Sequence, residues 1–325
     1  MPLYFVTLHS HFLNMIMNMK RILLALVMTV TTLSASAQLL YRISGHGLKS
    51  PSYIVGTYHL ANVSFVDSIP GMRKAMADCQ QVYGELVMDN LLGPDSVAIM
   101  EKAMMLPDGM TLNNLLSDDE MSRLNAYLKE LIGMDLTNPL LAQQMSKLSP
   151  AALNTALSVL SFMKKGGNVD VQNGFDDYFQ KEALAQGKGV GGLETMAFQV
   201  ETLFKGIPLE RQKELLMCLV DNAAFMDEMD DRIISAFYSQ NLDAIQEAMD
   251  LKLHNNCDSS PEEEDKLIYN RNANWLKMMP GLMSQKSTLF AVGAGHLPGE
   301  KGVLNLLRQA GYTVECVKST AVGQP

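Results

Sequence analysis

Several motifs that would reveal a function directly are missing from this chain. The sequence has no His-Glu-x-x-His motif of zinc peptidases, no Gly-x-Ser-x-Gly turn of serine hydrolases and no Gly-x-x-x-x-Gly-Lys phosphate loop. It has one tryptophan and four cysteines in 325 residues, and no two cysteines form a Cys-x-x-Cys pair. A functional site must therefore be assembled from residues that lie far apart in the sequence.

Positive charge is also scarce. The chain has 26 lysines and arginines against 35 aspartates and glutamates, which gives a net charge of −9. An acidic surface without a basic stripe argues against a nucleic-acid partner and against adhesion to an anionic membrane. We therefore expect a peptide or small-molecule partner and no nucleic acid.

The first 37 residues have the pattern of a secretory signal peptide. Lys20 and Arg21 precede a short apolar run at residues 22–33, and Ala35-Ser36-Ala37 forms a small-residue cleavage site. The run is shorter than the roughly 20 residues that a membrane span requires. A retained anchor is the alternative, but the pattern favours a periplasmic or secreted protein without a stable membrane span.

Cleavage of this signal would leave residues 38–325 as the mature protein, with residues 1–18 upstream of the true start at Met19. An oxidising compartment permits a disulfide. The spacing of the cysteines does not reveal a pairing, and buried free thiols are the alternative. The cysteines concerned are Cys79, Cys218, Cys257 and Cys316.

Strand patterns lie at both ends of the chain, and helical patterns fill most of the middle. Short apolar segments bounded by turn residues predict strands at residues 39–44, 52–56, 81–88, 188–193, 287–292 and 312–317. Predicted helices at residues 68–78 and 299–310 connect strands as βαβ units. We therefore predict a single α/β domain over residues 38–325, with a mixed sheet built from both chain ends and a large helical insertion at about 91–280.

Four polar residues lie at or near the ends of these predicted strands. His59, Glu85, Glu194 and His296 each belong to a different strand end. Ligands of parallel α/β sheets bind beyond the carboxyl ends of the strands. The sequence therefore predicts that two imidazoles and two carboxylates share one site.

The two histidines occur in matching motifs. Gly56-Thr57-Tyr58-His59 and Gly293-Ala294-Gly295-His296 both follow an apolar strand. We expect each glycine to let the backbone turn, so that the imidazole points into the site. A neutral imidazole can bind a divalent metal or accept a proton from water.

A carboxylate in the apolar surroundings of Glu85 is costly unless it is paired or binds a cation. His59, Glu85 and His296 would form a three-ligand set with an open position for water, as in catalytic zinc sites. Such nitrogen and oxygen ligands also suit manganese, cobalt or iron. A metal-free site, with a histidine as general base oriented by Glu85, remains the alternative.

Three further residues are weaker candidates. Arg271 could stabilise an oxyanion, or hold Glu85 or Glu194 by its guanidinium fork. Asp176 lies in the first turn of a predicted helix, where favourable interaction with the helix dipole explains the acid unless its side chain reaches the site. His254 lies in a polar loop and is expected to be solvated.

The chain resembles the TraB/GumN family, which is related to the TIKI proteases. The two Gly-x-x-His motifs at opposite ends of the chain are typical of that family. The other matching segments are residues 84–86, 174–176, 192–195, 199, 271–275, 297–303 and 311–312.

The resemblance implies a metal-dependent hydrolase of the peptidase type. It places His59, Glu85 and His296 in the site of such an enzyme. Our hypothesis from the residues is that these three hold a divalent metal (Mn, Co or Zn), with Glu194 as the candidate proton shuttle and Arg271 as the candidate oxyanion or supporting residue. More distant relatives are similar to metal-independent esterases or to ligand binders. A protein that sequesters a peptide or small ligand without cleaving it therefore stays open.

Overall fold

The sheet consists of six strands in the order β4-β3-β5-β2-β1-β6. The computed structural model describes residues 38–90, 93–167 and 174–318, so the predicted signal peptide lies outside the described residues. The strands are β1 Leu40–Ser44, β2 Ser52–Thr57, β3 Gln81–Gly84, β4 Gly189–Gly192, β5 Thr288–Gly293 and β6 Thr313–Cys316. β1 is antiparallel to β2 and β6, and the other pairs are parallel. The predicted α/β class and mixed sheet are confirmed.

The central strand β5 lies between β2 and β3, and all six residues of β2 are buried. Continuous apolar strands of this kind are typical of parallel sheets that are covered on both faces. β2 and β1 are joined through Gly45-His46-Gly47, all three of which have positive φ angles. The predicted hairpin turn is therefore present.

Consecutive strands of the chain are not always neighbours in the sheet. β5 and β6 are parallel, but β2 and β1 lie between them. β4 comes from within the predicted helical insertion and pairs with β3 at the opposite edge. The sheet is thus built from both chain ends and one short strand from the middle.

The third strand is shorter than predicted. β3 ends at Gly84, where its strand register with β5 and β4 also ends, although the Glu194 N–H still donates to the Glu85 carbonyl oxygen. Beyond it, the buried Gln180 side chain donates to the Leu86 carbonyl oxygen at 2.6 Å and accepts from the Met88 N–H at 3.1 Å. These backbone groups therefore bond to a side chain instead of a strand, and Glu85 lies in the loop that starts at the strand end.

Helices fill most of the remaining described residues. The α-helices are α1 Met72–Asp78, α2 Pro94–Met104, α3 Leu112–Leu115, α4 Asp118–Ile132, α5 Pro139–Met145, α6 Pro150–Lys164, α7 Phe175–Ala185, α8 Met196–Lys205, α9 Leu209–Asp221, α10 Ala223–Tyr238, α11 Leu242–Met249, α12 Pro261–Glu264, α13 Asn270–Gln285 and α14 Val303–Gln309. Short 3₁₀ segments lie at Val63–Ser68, Met88–Asn90 and Ala294–His296, and a π-helical segment at Asp265–Tyr269. Among the described residues, no helix combines the length and the apolar content that crossing a membrane requires.

The helical part has its own apolar core. Helix α4 begins with a capping box in which Ser117 and Glu120 bond to each other's backbone N–H. Its residues Leu124, Leu128 and Leu131 are buried at helical spacing and pack with leucines of α3, α6 and α9. A second core contains the sheet and its flanking helices. The helical insertion therefore packs around an apolar core that is separate from the core of the sheet.

A disulfide joins Cys218 of α9 to Cys257 in the loop before α12. The same loop is held by Arg211, which donates to the Asn256 and Asp258 carbonyl oxygens and forms an ion pair with Glu263. Cys79 is buried, and among the described residues the disulfide Cys218–Cys257 includes neither Cys79 nor Cys316.

Candidate functional site

The candidate site lies at the carboxyl ends of four neighbouring parallel strands. Thr57 at the end of β2 pairs with Gly293 at the end of β5, and β3 and β4 end together at Gly84 and Gly192. The residues that follow these four ends are His59, His296, Glu85 and Glu194 in the order of the strands β2, β5, β3 and β4. The sheet topology therefore brings residues from both chain ends and the middle to one edge.

Arg271 of α13 lies at the centre of this cluster and is almost completely buried, with a side chain 6% exposed. Its Nη2 donates to Glu85 Oε2 at 2.6 Å and to Glu194 Oε2 at 2.9 Å, and its Nε donates to Glu194 Oε1 at 2.8 Å. The guanidinium thus forms a fork on Glu194 and a further ion pair to Glu85. The structure shows the bracing arrangement that the sequence allowed for Arg271.

The five N–H groups of the Arg271 guanidinium all have partners. The two N–H groups of Nη1 face the Leu267 carbonyl oxygen and His296 Nε2, each at 3.1 Å. The other three donate to Glu85 and Glu194. An arginine offers five donors and no acceptor. Without a rearrangement, Arg271 has no donor left for an oxyanion.

The local helix geometry explains part of this arrangement. A π-helical segment, Asp265–Tyr269, immediately precedes α13, and the Asn270 N–H donates to the Asp265 carbonyl oxygen. Single π-turns inside helices occur often at functional sites. Here the Leu267 carbonyl oxygen of this segment accepts from the Arg271 side chain, which fixes the direction of the guanidinium.

Glu194 and Glu85 are both held by further donors. Glu194 accepts from Trp275 Nε1 at 3.0 Å and its side chain is 3% exposed. Glu85 accepts from the Gly293 N–H at 2.9 Å, and Gln199 of α8 donates to Glu85 Oε2 at 2.9 Å. The Glu194 carboxylate is therefore enclosed, and both of its oxygens accept hydrogen bonds. Its role as a proton shuttle stays a prediction.

The buried His296 has a defined tautomer. Asn272 donates its Nδ2 hydrogens to the carbonyl oxygens of His296 and Lys301, so its Oδ1 faces His296 Nδ1 at 2.7 Å. Nδ1 must then carry the proton. Nε2 accepts from Arg271, which can only donate. The ring also packs on Trp275, with ring centroids 4.5 Å apart. His296 is therefore a neutral imidazole whose two nitrogens are both engaged.

His59 has a different environment from His296. Its Nδ1 lies 2.5 Å from Asp176 Oδ2, and its side chain is 74% exposed. Asp176, in the first turn of α7, also accepts from the Thr57 hydroxyl. Among the residues that the structure describes, no hydrogen-bond partner is found for His59 Nε2. The pair therefore leaves one imidazole nitrogen directed away from the carboxylate that orients the ring.

The pKa values of the two histidines differ accordingly. The negative charge of Asp176 and its hydrogen bond raise the pKa of His59 to about 9, with Glu85 adding to the shift and Arg271 opposing it. Burial lowers the pKa of His296 to about 4, against the opposing charge of Glu85. Burial alone would raise the pKa of Glu85, but nearby positive charge, including Arg271, and the Gly293 N–H outweigh burial and lower it. Thr57, two residues before His59, pairs with Gly293, whose N–H donates to Glu85, so the exposed histidine follows a strand end that adjoins the buried cluster.

The pKa of His296 predicts a loss of stability in mild acid. The unfolded chain binds a proton at this histidine near pH 6.5, whereas the folded chain does so near pH 4. The unfolded state therefore gains stability relative to the folded state as the pH falls from 6.5 to 4. We expect this group to lower the free energy of unfolding by about 2 kcal/mol between pH 7 and pH 5.

Urea unfolding at the two pH values measures this effect, with His296→Asn as the control that removes the titrating ring. The exposed His59 acts in the opposite direction, because its raised pKa contributes stability below pH 6.5 that is lost as the pH rises towards 9. Water screens that contribution. An equal pH dependence in wild type and His296→Asn would contradict the assignment.

The glycines of the two motifs act differently from the prediction. Neither Gly56 nor Gly293 has a positive φ angle, so the backbone conformation requires glycine at neither position, although the chain turns into a 3₁₀ segment directly after Gly293. A Cβ on Gly56 would lie 3.0 Å from the Ala294 Cβ and 3.0 Å from Leu297 Cδ1. A Cβ on Gly293 would lie 3.2 Å from Glu85 Oε1. The glycines therefore allow the two motifs and Glu85 to approach one another closely.

We expect Gly56→Ala to destabilise the protein by about 1–3 kcal/mol, because the added methyl group overpacks the contact between the two motifs. Gly281→Ala is a matched control. Gly281 lies inside α13, and a Cβ there would meet no atom within 4 Å, so the substitution should be neutral or stabilise by up to about 1 kcal/mol. Urea unfolding of both variants checks the difference. Equal free energies of unfolding would show that the contact tolerates a methyl group.

The arrangement of donor atoms bears on the predicted metal. Within the described residues, no three His, Cys, Asp or Glu side chains are placed to hold a metal ion. His296 Nε2 accepts from Arg271, and both Glu85 oxygens accept from Arg271, Gln199 or Gly293. The residues as arranged therefore do not fit a cation. The ligand roles of His59, Glu85 and His296 stay a prediction.

Two residues of this site are not among the predicted catalytic or metal-binding residues. Asp176, whose position the helix dipole explains, also orients His59. Asn272, which fixes the tautomer of His296, lies in the segment 271–275 without a predicted role. The sequence signal for Asn272 was its position next to Arg271 on the same helix, because two consecutive helical side chains can contact different groups of one site. His254 is exposed in its loop, as expected, and its N–H donates to Asp258.

A large cavity lies elsewhere. A volume of about 1070 Å³ opens in the helical part, and its lining includes Met105, Leu148, Phe204 and Gln212. None of the candidate site residues lines it. The site is therefore recognised by its chemistry and its position at the strand ends, and the size of a cavity gives no guide to it.

Comparison with known proteins agrees with the resemblance seen in the motifs. Metalloprotease TIKI1 of Danio rerio is 25% identical over 312 residues, which cover 85% of this chain and 62% of that protein. Metalloprotease TIKI2 of Xenopus tropicalis is 26% identical over 306 residues, covering 82% and 57%. A metalloprotease TIKI homolog of Amphimedon queenslandica is 38% identical over 64 residues, covering 18% and 12%.

The chain spans less than two thirds of the length of each of these relatives. No solved structure matches the chain significantly. The profile of the TraB/PrgY/gumN family matches residues 39–316, which include every strand and every candidate site residue. The chain therefore belongs to the TraB/PrgY/gumN family.

Proposed function

We propose that this protein is a hydrolase that cleaves peptide bonds, with the His59–Asp176 pair as its general base. The observation that carries the proposal is the hydrogen bond from His59 Nδ1 to Asp176, which leaves Nε2 available beside the buried cluster. A carboxylate on one imidazole nitrogen fixes the tautomer and stabilises the charged ring after proton transfer. The names of the TIKI relatives support peptide cleavage as the reaction.

His59 carries a proton below its pKa of about 9 and can act as a base only in its neutral form, so we expect cleavage to rise with pH up to about 9. In that neutral form, His59 Nε2 takes a proton from a water molecule as the water oxygen attacks the peptide carbonyl carbon. The carbon–nitrogen bond then breaks, and the proton passes to the leaving amine. The products are a carboxylic acid and an amine. Arg271, Glu85, Glu194 and His296 hold the strand ends rigidly, so the base keeps its position relative to the substrate.

A metal-dependent form remains a hypothesis, with a divalent cation (Mn, Co or Zn) at His59, Glu85 and His296. The relatives are named metalloproteases, which supports a metal. The donor atoms of Glu85 and His296 are engaged by Arg271 and other N–H groups, which favours metal-independent hydrolysis. Esters need less activation than amides, so a metal-independent esterase is the second candidate.

The test is incubation of the purified protein with an unbiased peptide library, followed by mass spectrometry of new termini. Parallel samples contain EDTA, Mn²⁺, Co²⁺ or Zn²⁺, and an ester panel is assayed separately. The proposal expects new peptide termini that are absent in His59→Ala. Peptide retention without new termini in any sample would overturn it and favour a binding protein, and ester cleavage alone would favour the esterase.

We also propose that the protein is periplasmic or secreted. The disulfide between Cys218 and Cys257 supports this, because such bonds persist in oxidising compartments, and the predicted signal peptide agrees with it. Sequencing the amino terminus of the protein from its native cells tests the proposal, which expects Gln38 as the first residue. A cytoplasmic protein that begins at Met1 or Met19 would contradict it.

A further inference from the structure

We propose that Arg271 is the resident cation of the buried cluster, and that a divalent metal can bind to Glu85, Glu194 and His296 only when the Arg271 side chain is removed. The buried cluster lies beside the proposed catalytic base, and its contacts are those of the protein without substrate. The experiments below measure metal binding instead of turnover. The proposed hydrolase and this inference can therefore fail separately.

Lone pairs of four acceptor atoms converge on the Arg271 guanidinium. Glu85 Oε2, Glu194 Oε1 and Oε2 and His296 Nε2 all lie 2.6–3.1 Å from a nitrogen of Arg271. These atoms come from three different strand ends. Four acceptor atoms that surround one positive group are the arrangement by which proteins hold a metal ion, with a guanidinium in its place.

Two of the residues that surround the guanidinium also lie close to each other. His296 Nε2 and Glu85 Oε1 are 3.9 Å apart. Metal–nitrogen and metal–oxygen bonds of about 2.0–2.2 Å place two ligands of one cation within about 4.4 Å of each other. The imidazole and the carboxylate are therefore already within the range of a common cation, while the guanidinium binds His296 Nε2 and the other Glu85 oxygen, Oε2.

Arg271 also compensates the negative charge of two buried carboxylates. Glu85 and Glu194 are 11% and 3% exposed, so removal of Arg271 leaves two carboxylates enclosed without their positive partner. Buried uncompensated charge is strongly unfavourable. As arranged around the guanidinium, these side chains are not placed to hold a metal ion. When Arg271 is removed and they move into its space, one imidazole and two carboxylates form a nitrogen–oxygen ligand set that suits Zn²⁺, Mn²⁺ or Co²⁺. Capture of a divalent cation would restore the lost compensation.

The experiment compares wild type with Arg271→Ala by isothermal titration with Zn²⁺, Mn²⁺ and Co²⁺ and by elemental analysis after dialysis. We expect no stoichiometric uptake in wild type and one cation per chain in Arg271→Ala. Adding Glu85→Gln or His296→Asn to Arg271→Ala should abolish the uptake. His254→Asn serves as the control for surface imidazoles, and it should leave every result unchanged.

If Arg271→Ala does not fold without metal, the readout is refolding on addition of a cation, followed by circular dichroism and dependent on Glu85 and His296. One cation per wild-type chain that is lost in His296→Asn would overturn the inference, because metal and guanidinium would then bind together. Arg271→Ala that neither binds nor refolds with any of the three cations would overturn it as well.

Discussion

Replacing His59 by alanine is expected to lower the rate of peptide cleavage by about 10²–10⁴-fold, the usual contribution of a positioned general base. The fold should survive, because the side chain is 74% exposed and its ion pair with Asp176 lies at the surface. The measurement is the rate of appearance of new peptide termini, with the free energy of unfolding determined on the same sample.

Two further variants sharpen this experiment. Asp176→Asn keeps the shape of the partner but removes its charge, so it should lower the rate less than His59→Ala does. His254→Asn is the matched control, since it replaces an imidazole in a loop where φ is 59°, a conformation that asparagine tolerates. Turnover at the wild-type rate in His59→Ala would exclude His59 as the base.

Replacing Arg271 by methionine is expected to lower the free energy of unfolding by about 3–5 kcal/mol, because it leaves Glu85 and Glu194 buried without their partner. Urea unfolding measures the loss. Arg271→Lys should recover little of it, because an ammonium group cannot form the fork on Glu194.

Arg232→Met is the matched control for this substitution. Arg232 is an exposed arginine of α10 that pairs with Glu228 one turn earlier, and such pairs contribute about 0.3–0.5 kcal/mol. Adding Glu85→Gln to Arg271→Met should restore part of the stability, which a double-mutant cycle detects as coupling. A loss below about 1 kcal/mol in Arg271→Met would show that the cluster does not depend on the guanidinium.

The sequence predicted the strand-end residues because the signal is local. An apolar strand followed within a few residues by His or Glu can be read without knowing which strands are neighbours. The pairing of β5 with β2 and β3 has no local signal, since it joins Tyr53 to Leu289 and Gln81 to Thr288 across more than half of the chain. Strand order therefore had to come from the structure.

Which residues form the site was easier to predict than what each residue does there. The two histidine motifs look alike, but one ring is buried against Trp275 and the other is exposed beside Asp176. What separates them is the element packed against each: α13 supplies Asn272 and Arg271 to His296, and α7 supplies Asp176 to His59. Such contacts between distant elements leave no trace in either motif.

The middle position of β5 in the sheet has a consequence for biosynthesis. β5 begins at Thr288, 207 positions after Gln81 at the start of β3, so β2 and β3 lack their shared neighbour until that part of the chain has left the ribosome. Glu85 likewise meets the Gly293 N–H only then, 208 positions later. Nascent chains that end before β5 therefore lack the sheet edge at which the candidate site forms, and the site assembles only after β5 has been synthesised.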